Sequence, residues 1–595
     1  MKSARVADAA MTSNTARVAA RTVSLTSLWI RLEERWEALQ VGRQGSYSVE
    51  RLVSLEHYCR TTSKVRVVAV CLLTPLPAFA VAVLLECLPL RNPSEGWAAN
   101  WVFWVRWSVM FFAISFSGVS QLITFVPGLN FTFAKRMMVS VGSTAAFVGT
   151  CIAGANLIRF PVPFMMQLGS VVMGLYIAGM VRLVFTRKEF GRNSALRPYF
   201  QRFYRFLFAY LMLGGLFPFY RLVFDLTPAS GRAVVILLLP VWKFAAKHFI
   251  VKAIRKLEDF IPELVAFTVD FFSALFVSAC MTTSGSLYLS IVFIAADVAQ
   301  SLLEFNEVRG QARTVLQLLR SRRESRDRSL QKKGRRTSST DNTDLLALIL
   351  YVARHPRTFH VVSLETTRLW ACLPHPLTDY ETKQMQELEA TGVYGGDNHQ
   401  RSQPRRPQER QRIQPQLHSV SIEPAPTSLV ASIPPGSGFT AYESRASVKD
   451  SGTNLRHAER SKKLVVQGLQ LLFHCEYLAL VEYVECVVPL VFVTYKSILN
   501  QLPNAAYYPD APGSWGMSAV TNLLVFAALE IATFMLFIRF LHKKFSFSPL
   551  YQLAFVFETQ SHLVQAKLVI EIVTLLQSRL AHFGGGYAAN IEHKG

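Results

Sequence analysis

The stretch RGQARTVLQLLRSRRESRDRSLQKKGRR, residues 309–336, carries eleven Lys and Arg against two acids. It opens as a helix with Val315, Leu316, Leu318 and Leu319 on it, then becomes a charge run that bilayer hydrocarbon would exclude. The run lies in a polar interval from about Glu304 to Lys463, with eight long apolar segments before it and two after it. Lys and Arg beside span ends resist translocation while Asp and Glu count for little, so the interval is expected on the cytosolic side.

Outward from it, apolar runs of roughly the length a helix needs to span a bilayer occur at 67–88, 101–125, 137–157, 163–184, 204–224, 233–252, 261–281 and 285–305. Two more follow at 477–497 and 519–539. With residue 1 inside, the inner connections hold Lys135/Arg136, Arg182 to Arg205, Lys252/Arg255/Lys256, the long interval, and Arg539/Lys543/Lys544. The outer ones hold only Arg91, Arg159 and Arg232. The expectation is an all-α membrane protein, a bundle of about ten transmembrane helices with both termini cytosolic and a long, partly disordered cytosolic loop. Its parts are N-terminal helices over 1–66, an eight-helix region over 67–305, the basic loop over 306–463, a two-helix region over 464–544, and a cytosolic amphipathic helix and tail over 545–595. In this topology the sequon at Asn130 faces inward and stays unglycosylated. The cluster Trp101, Trp104 and Trp107 reads as an outer aromatic belt with Arg106 snorkelling outward.

Composition agrees with a membrane class. The chain has 595 residues, 51% of them hydrophobic and 17% charged, with a mean hydropathy of +0.25. Such a chain has too little polar surface for a soluble protein of its length. The net charge of +23 is concentrated at 1–66, 182–205 and 305–463, so it reads as topogenic and gives no nucleic-acid interface. Eight cysteines form no CxxC pair, and no metal site or cofactor is implied. The first 25 residues contain no apolar run long enough for a cleavable signal peptide.

Other segments have narrower readings. Trp29, Leu32, Trp36 and Leu39 share a helical face, Gly42 to Gly45 break it, and a second helix begins at Ser48. The short run Leu345 to Val352 cannot span and is expected to dock on the bundle or the interface. Residues 394–460, rich in Gln, Pro, Ser and Arg, have the composition of disorder. Within them Arg401 to Pro407 matches an RxxPxxP ligand for an SH3-type groove. The basic cluster, including Arg320, Arg322, Arg323, Lys332, Lys333, Arg335 and Arg336, is suited to anionic inner-leaflet lipid. Phosphorylation of the adjoining Thr337 or Ser338 would weaken that attraction.

The segment Gly42-Arg-Gln-Gly45-Ser-Tyr47-Ser48-Val-Glu50-Arg51-Leu52, followed by His57-Tyr58-Cys59-Arg60 and by Leu73-Thr-Pro75-Leu-Pro77, resembles a large family of multi-pass membrane proteins found in oomycetes. The continuation Asn92-Pro93-Ser94-Glu95-Gly96-Trp97 belongs to the same resemblance. It covers the spans and fades in the linker. That family has no established activity, so the resemblance carries over no functional residue.

Ionisable groups inside the apolar runs are expensive there and are candidates by default. Asp270, Asp297 and Glu530 sit near the middle of the seventh, eighth and tenth runs, and Glu482 and Glu485 share a face of the ninth. Lys243 and Lys247, one turn apart in the sixth run, are the available countercharges. Two lysines cannot neutralise five carboxylates, so the remainder must be protonated, hydrated or cation-bound. That imbalance points to a path for protons, cations or a proton-coupled solute, with Glu482/Glu485 as its inner vestibule. The bland reading is one acid paired with a lysine and the rest protonated as interhelical glue. At the level of the whole protein the alternative is a non-transporting scaffold or sensor acting through the polybasic loop. Pro75/Pro77 and Pro240 further suggest broken first and sixth helices in two inverted halves. No P-loop, dinucleotide fingerprint, HExxH or nucleophile-elbow sequence is present, and no enzyme is indicated.

Overall fold

The computed structural model describes residues 40–185, 191, 194–228, 230–255, 257–283, 287–331, 345–359, 361, 363–372, 375–394, 443–508, 515–545 and 547–584. Among these the protein is all-helical, with a single isolated bridge between Leu364 and Tyr394. The Trp29 face, Lys332, Lys333, Arg335, Arg336, Thr337, Ser338 and the Arg401 to Pro407 motif lie outside the described residues, as do the side chains of Arg322 and Arg323.

Helix α1 (Val49–Thr61) starts where Ser48 caps the amide of Arg51, and α2 (Lys64–Leu73) where Ser63 caps that of Arg66. Thr74 and Pro75 separate α2 from α3 (Leu76–Glu86), because proline lacks the amide that would continue the ladder. Then come α4 (Trp101–Phe125), α5 (Phe133–Leu157), α6 (Met165–Val184), α7 (Arg197–Leu226) and α8 (Arg232–Ile254). The next rod is composite: α9 (Ile261–Val265), a π turn over Ala266–Asp270, and α10 (Phe271–Thr283). After it follow α11 (Leu287–Gln331), α12 (Leu345–Arg354), α13 (Asp379–Ala390), α14 (Glu443–Leu499) and α15 (Met517–Phe545). Last are α16 (Pro549–Thr559) and α17 (Ser561–Leu576).

Among the described residues seven helical segments are long and apolar enough to cross a membrane: Lys64–Glu86, Trp101–Phe125, Phe133–Leu157, Arg232–Ile254, Glu258–Thr282, Arg456–Leu499 and Met517–Phe545. The other expected spans are helical too, as α6, α7 and the first part of α11. Burial orders these segments. The apolar window of Glu258–Thr282 is 94% buried and that of Arg456–Leu499 72%, against 33% for Lys64–Glu86 and Met517–Phe545. The composite rod and α14 are therefore the axis of the bundle. The exposed faces of α2 and α15, with Val65, Leu72, Met535 and Leu536, are its apolar outside.

A buried polar network closes each end. At the Lys64 end Arg51 donates to Glu476 at 2.6 Å and to the carbonyl of Asp259 at 2.6 Å. Arg368 holds the Asp259 carboxylate at 3.0 and 3.1 Å, and Tyr47 donates to Glu476. Gly42 and Gly45 let the chain lie on α14 here: a Cβ on Gly45 would stand 2.5 Å from the ring of Phe473, and one on Gly42 would meet the His474 ring. At the Glu86 end Arg106 is bidentate on Glu86, Tyr495 and Tyr508 each donate to that carboxylate at 2.7 Å, and Arg106 also donates to Gln577 at 3.0 Å.

Three expectations are corrected. Arg106 does not snorkel outward: it is 1% exposed and paired with Glu86, and Trp107 is buried on Phe111 and Phe583. Trp101 alone of that cluster is exposed. Pro240 does not break its helix, which runs uninterrupted through it. Residues 550–580 are not one amphipathic helix: they form two, α16 and α17, with a break at Gln560. α16 and α17 run through the bundle alongside α2 and α3, with Glu558 paired to Arg66, Gln565 donating to the carbonyl of Thr74, and His582 bonded to that of Arg91. Leu563, Val564, Leu568, Ile572 and Val573 are all buried, which a surface helix would not permit. Residue 49 and residue 582 therefore lie at opposite ends of the bundle, so the two ends of the described chain do not share a face.

Candidate functional site

Lys243 and Lys247 are one helical turn apart on α8, so their side chains come to one side of it. Both reach Asp270, which closes the π turn of the axial rod: Lys243 Nζ lies 3.0 Å and Lys247 Nζ 2.8 Å from the same Oδ1. A π turn carries one residue more than an α turn and is frequent at functional positions. Here it ends on a carboxylate with no exposure at all. Lys243 also donates to Glu485 on α14 at 3.1 Å. Lys247 donates to the Tyr477 hydroxyl at 2.6 Å and lies 3.9 Å from Glu304 on α11.

The remaining acids extend this group towards α15. Glu482 accepts from Thr533 at 3.1 Å. Glu530 on α15 and Asp297 on α11 stand close enough for their charges to interact. Glu482, Glu485 and Glu530 are between 3% and 5% exposed, while Asp297 and Glu304 are half-buried.

The structure thus brings together all five acids and both lysines singled out from the sequence. Lys243 and Lys247 converge on Asp270, where a simpler arrangement would have given each its own acid. Three further members escaped the sequence reading. Glu304 had been the first residue of the polar interval, yet it stands seven residues after Asp297 and four after Gln300, which donates to it at 3.2 Å. That helical spacing was the available signal. Tyr477 and Thr533 carried none.

Six carboxyl groups therefore meet two ammonium groups where α8, the π turn, α11, α14 and α15 come together. No group of three or more His, Cys, Asp or Glu among the described residues is arranged to hold a metal ion.

No family model, curated protein or solved structure matches this chain. Its geometry is the ground for any reading of function. Of the basic cluster, Arg320 is described and stands exposed on the extension of α11.

Proposed function

We propose that the protein moves protons, or a solute or cation coupled to them, across a membrane along the carboxyl groups between α8, α11, α14 and α15. The observation that carries this reading is the surplus of acid: four buried carboxyl groups, with the half-buried Asp297 and Glu304 beside them, against Lys243 and Lys247. An uncompensated carboxylate in apolar surroundings costs several kcal/mol, so a buried acid without a countercharge is favoured in its neutral form. A group that holds a proton only because its surroundings are apolar releases it when a neighbour takes up or loses charge. In this proposal Glu530 and Asp297 pass a proton between α15 and α11. Glu482 and Glu485 continue the series to Lys243, and the paired lysines at Asp270 supply the countercharge that limits it. Ten or more spans, with the Lys64 end of the bundle cytosolic by its Lys and Arg, complete this proposal; on that assignment Arg91 and His582 stand on the far side.

The test is acid influx into proteoliposomes of the full chain. Asp270→Asn/Asp297→Asn and Glu530→Gln are expected to cut the flux about a hundredfold, the scale of losing one proton-transfer group, with the melting transition kept in Glu530→Gln and lowered where Asp270 no longer holds the two lysines. Deleting 394–460 is expected to leave the flux intact. Equal flux in all variants, or none in the wild type under any proton or cation gradient, would turn the assignment to the scaffold reading.

A further inference from the structure

A groove of about 510 Å³ opens at the Lys64 end of the bundle, apart from the carboxyl cluster. It lies between the first turn of α2, the last turn of α15, α12 and the start of α16. Its walls are apolar, with Val67, Val68, Leu346 and Leu550, and it is edged by Lys64 and His542. No acid lines it. Neither Lys64 nor His542 has an ion-pair partner among the described residues, whereas the neighbouring Arg66 is taken up by Glu558 at 2.9 Å. Lys543 and Lys544 follow on the exposed end of α15.

Both α2 and α15 belong to candidate membrane spans, and Lys64 and His542 stand at their ends. That is the depth of lipid headgroups. From the groove an exposed apolar strip, Val68, Leu72, Leu73 and Leu76, runs up the outside of α2 and α3. Cations at headgroup depth above an apolar strip match one chemistry: a negatively charged head on a hydrocarbon tail.

We propose that this groove holds an anionic phospholipid, its phosphate against Lys64 and His542 and one acyl chain laid along Val68, Leu72, Leu73 and Leu76. The site differs from the loop cluster after Arg320, which would attract a charged surface as a whole. In the groove a single lipid is held between four elements, including α12 from the polar interval.

The experiment uses the full chain reconstituted in phosphatidylcholine vesicles with or without phosphatidylserine, followed by extraction and quantification of the retained lipid. The wild type is expected to enrich phosphatidylserine over phosphatidylcholine. Lys64→Gln should lower that enrichment about fivefold, the worth of one cation near a charged surface. Val68→Trp, which fills the groove without changing charge, should abolish it. Lys252→Gln removes a cation exposed at the same end but outside the groove and should change nothing. Enrichment that persists in both groove variants overturns the proposal, as does an equal loss in Lys252→Gln. Full displacement by inorganic phosphate would overturn it in favour of a free-phosphate site. The two groove variants act by different means, so failure of one to fold leaves the other to decide.

Discussion

His375 shows what burial does to a single titratable group. Its ring is 4% exposed and stacks on Phe555 at 5.7 Å, and its amide donates to Glu50 at 2.8 Å. Burial, and then the nearby Arg51, push its pKa down to about 3 from the ordinary 6.5. The folded protein therefore resists the proton that the unfolded chain accepts. The stability this group contributes is complete above about pH 6.5 and falls with acidification to about pH 3, by roughly 1.4 kcal/mol per pH unit. His375→Phe keeps the stack and cannot titrate. Its melting temperature should decline less steeply than the wild type's between pH 6.5 and 4.5, and parallel curves would refute the assignment. Residues such as His375 and Arg106 show the limit of reading at this scale. Asp270 or Glu530 stands out in sequence because an acid amid apolar neighbours is conspicuous. Arg106, near a helix end and close to tryptophans, reads equally well as a snorkelling residue. Only its partner Glu86, twenty positions earlier, shows that it turns inward.

At the scale of elements, the short helix α12 was legible as a segment that docks, but its seat was not. It rests on α14 at Gly468, where a Cβ would lie on top of Ile349 Cδ1. Gly468→Ala should cost on the order of 1–3 kcal/mol through overpacking, and Ile349→Ala in the same chain should recover part of that loss. Thermal unfolding of the two single variants and the double variant measures the coupling. Strictly additive losses would mean that the helix is seated elsewhere. Helix breaks divide in the same way between the legible and the hidden. Pro75 splits α2 from α3 as its missing amide requires, while Pro240 is absorbed within α8. The π turn at Ala266–Asp270 has no proline or glycine to announce it. Its cause is tertiary: Asp270 meets both α8 lysines there, and no local preference of the sequence encodes that.

For the whole molecule, hydropathy located the seven described segments that are helical and apolar enough to cross a membrane, because a helix in lipid must be long and continuously apolar and so leaves a strong pattern. It passed over α16 and α17, which are only 11 and 16 residues long, interrupted at Gln560, and polar enough to carry Lys567 and Glu571. Protein surrounds α17, with Tyr210 donating to Glu571 at 2.6 Å, so its polar groups need no apolar disguise. If α16 and α17 cross the membrane together, a tag added after Gly595 and one inserted before Val49 should be accessible from opposite sides of sealed vesicles. Accessibility from the same side would refute the crossing.

The position of α17 in the chain has a further consequence for how the protein is made. Chains fold broadly from the N-terminus during synthesis, yet α17, which fits against α3, α4 and α7, is translated long after them. Until then Arg106 waits for Gln577 and Tyr210 for Glu571. The earlier helices therefore stay an open assembly until α17 has been made, and a message truncated before codon 549 would leave a gap along the wall of the bundle that no earlier helix fills.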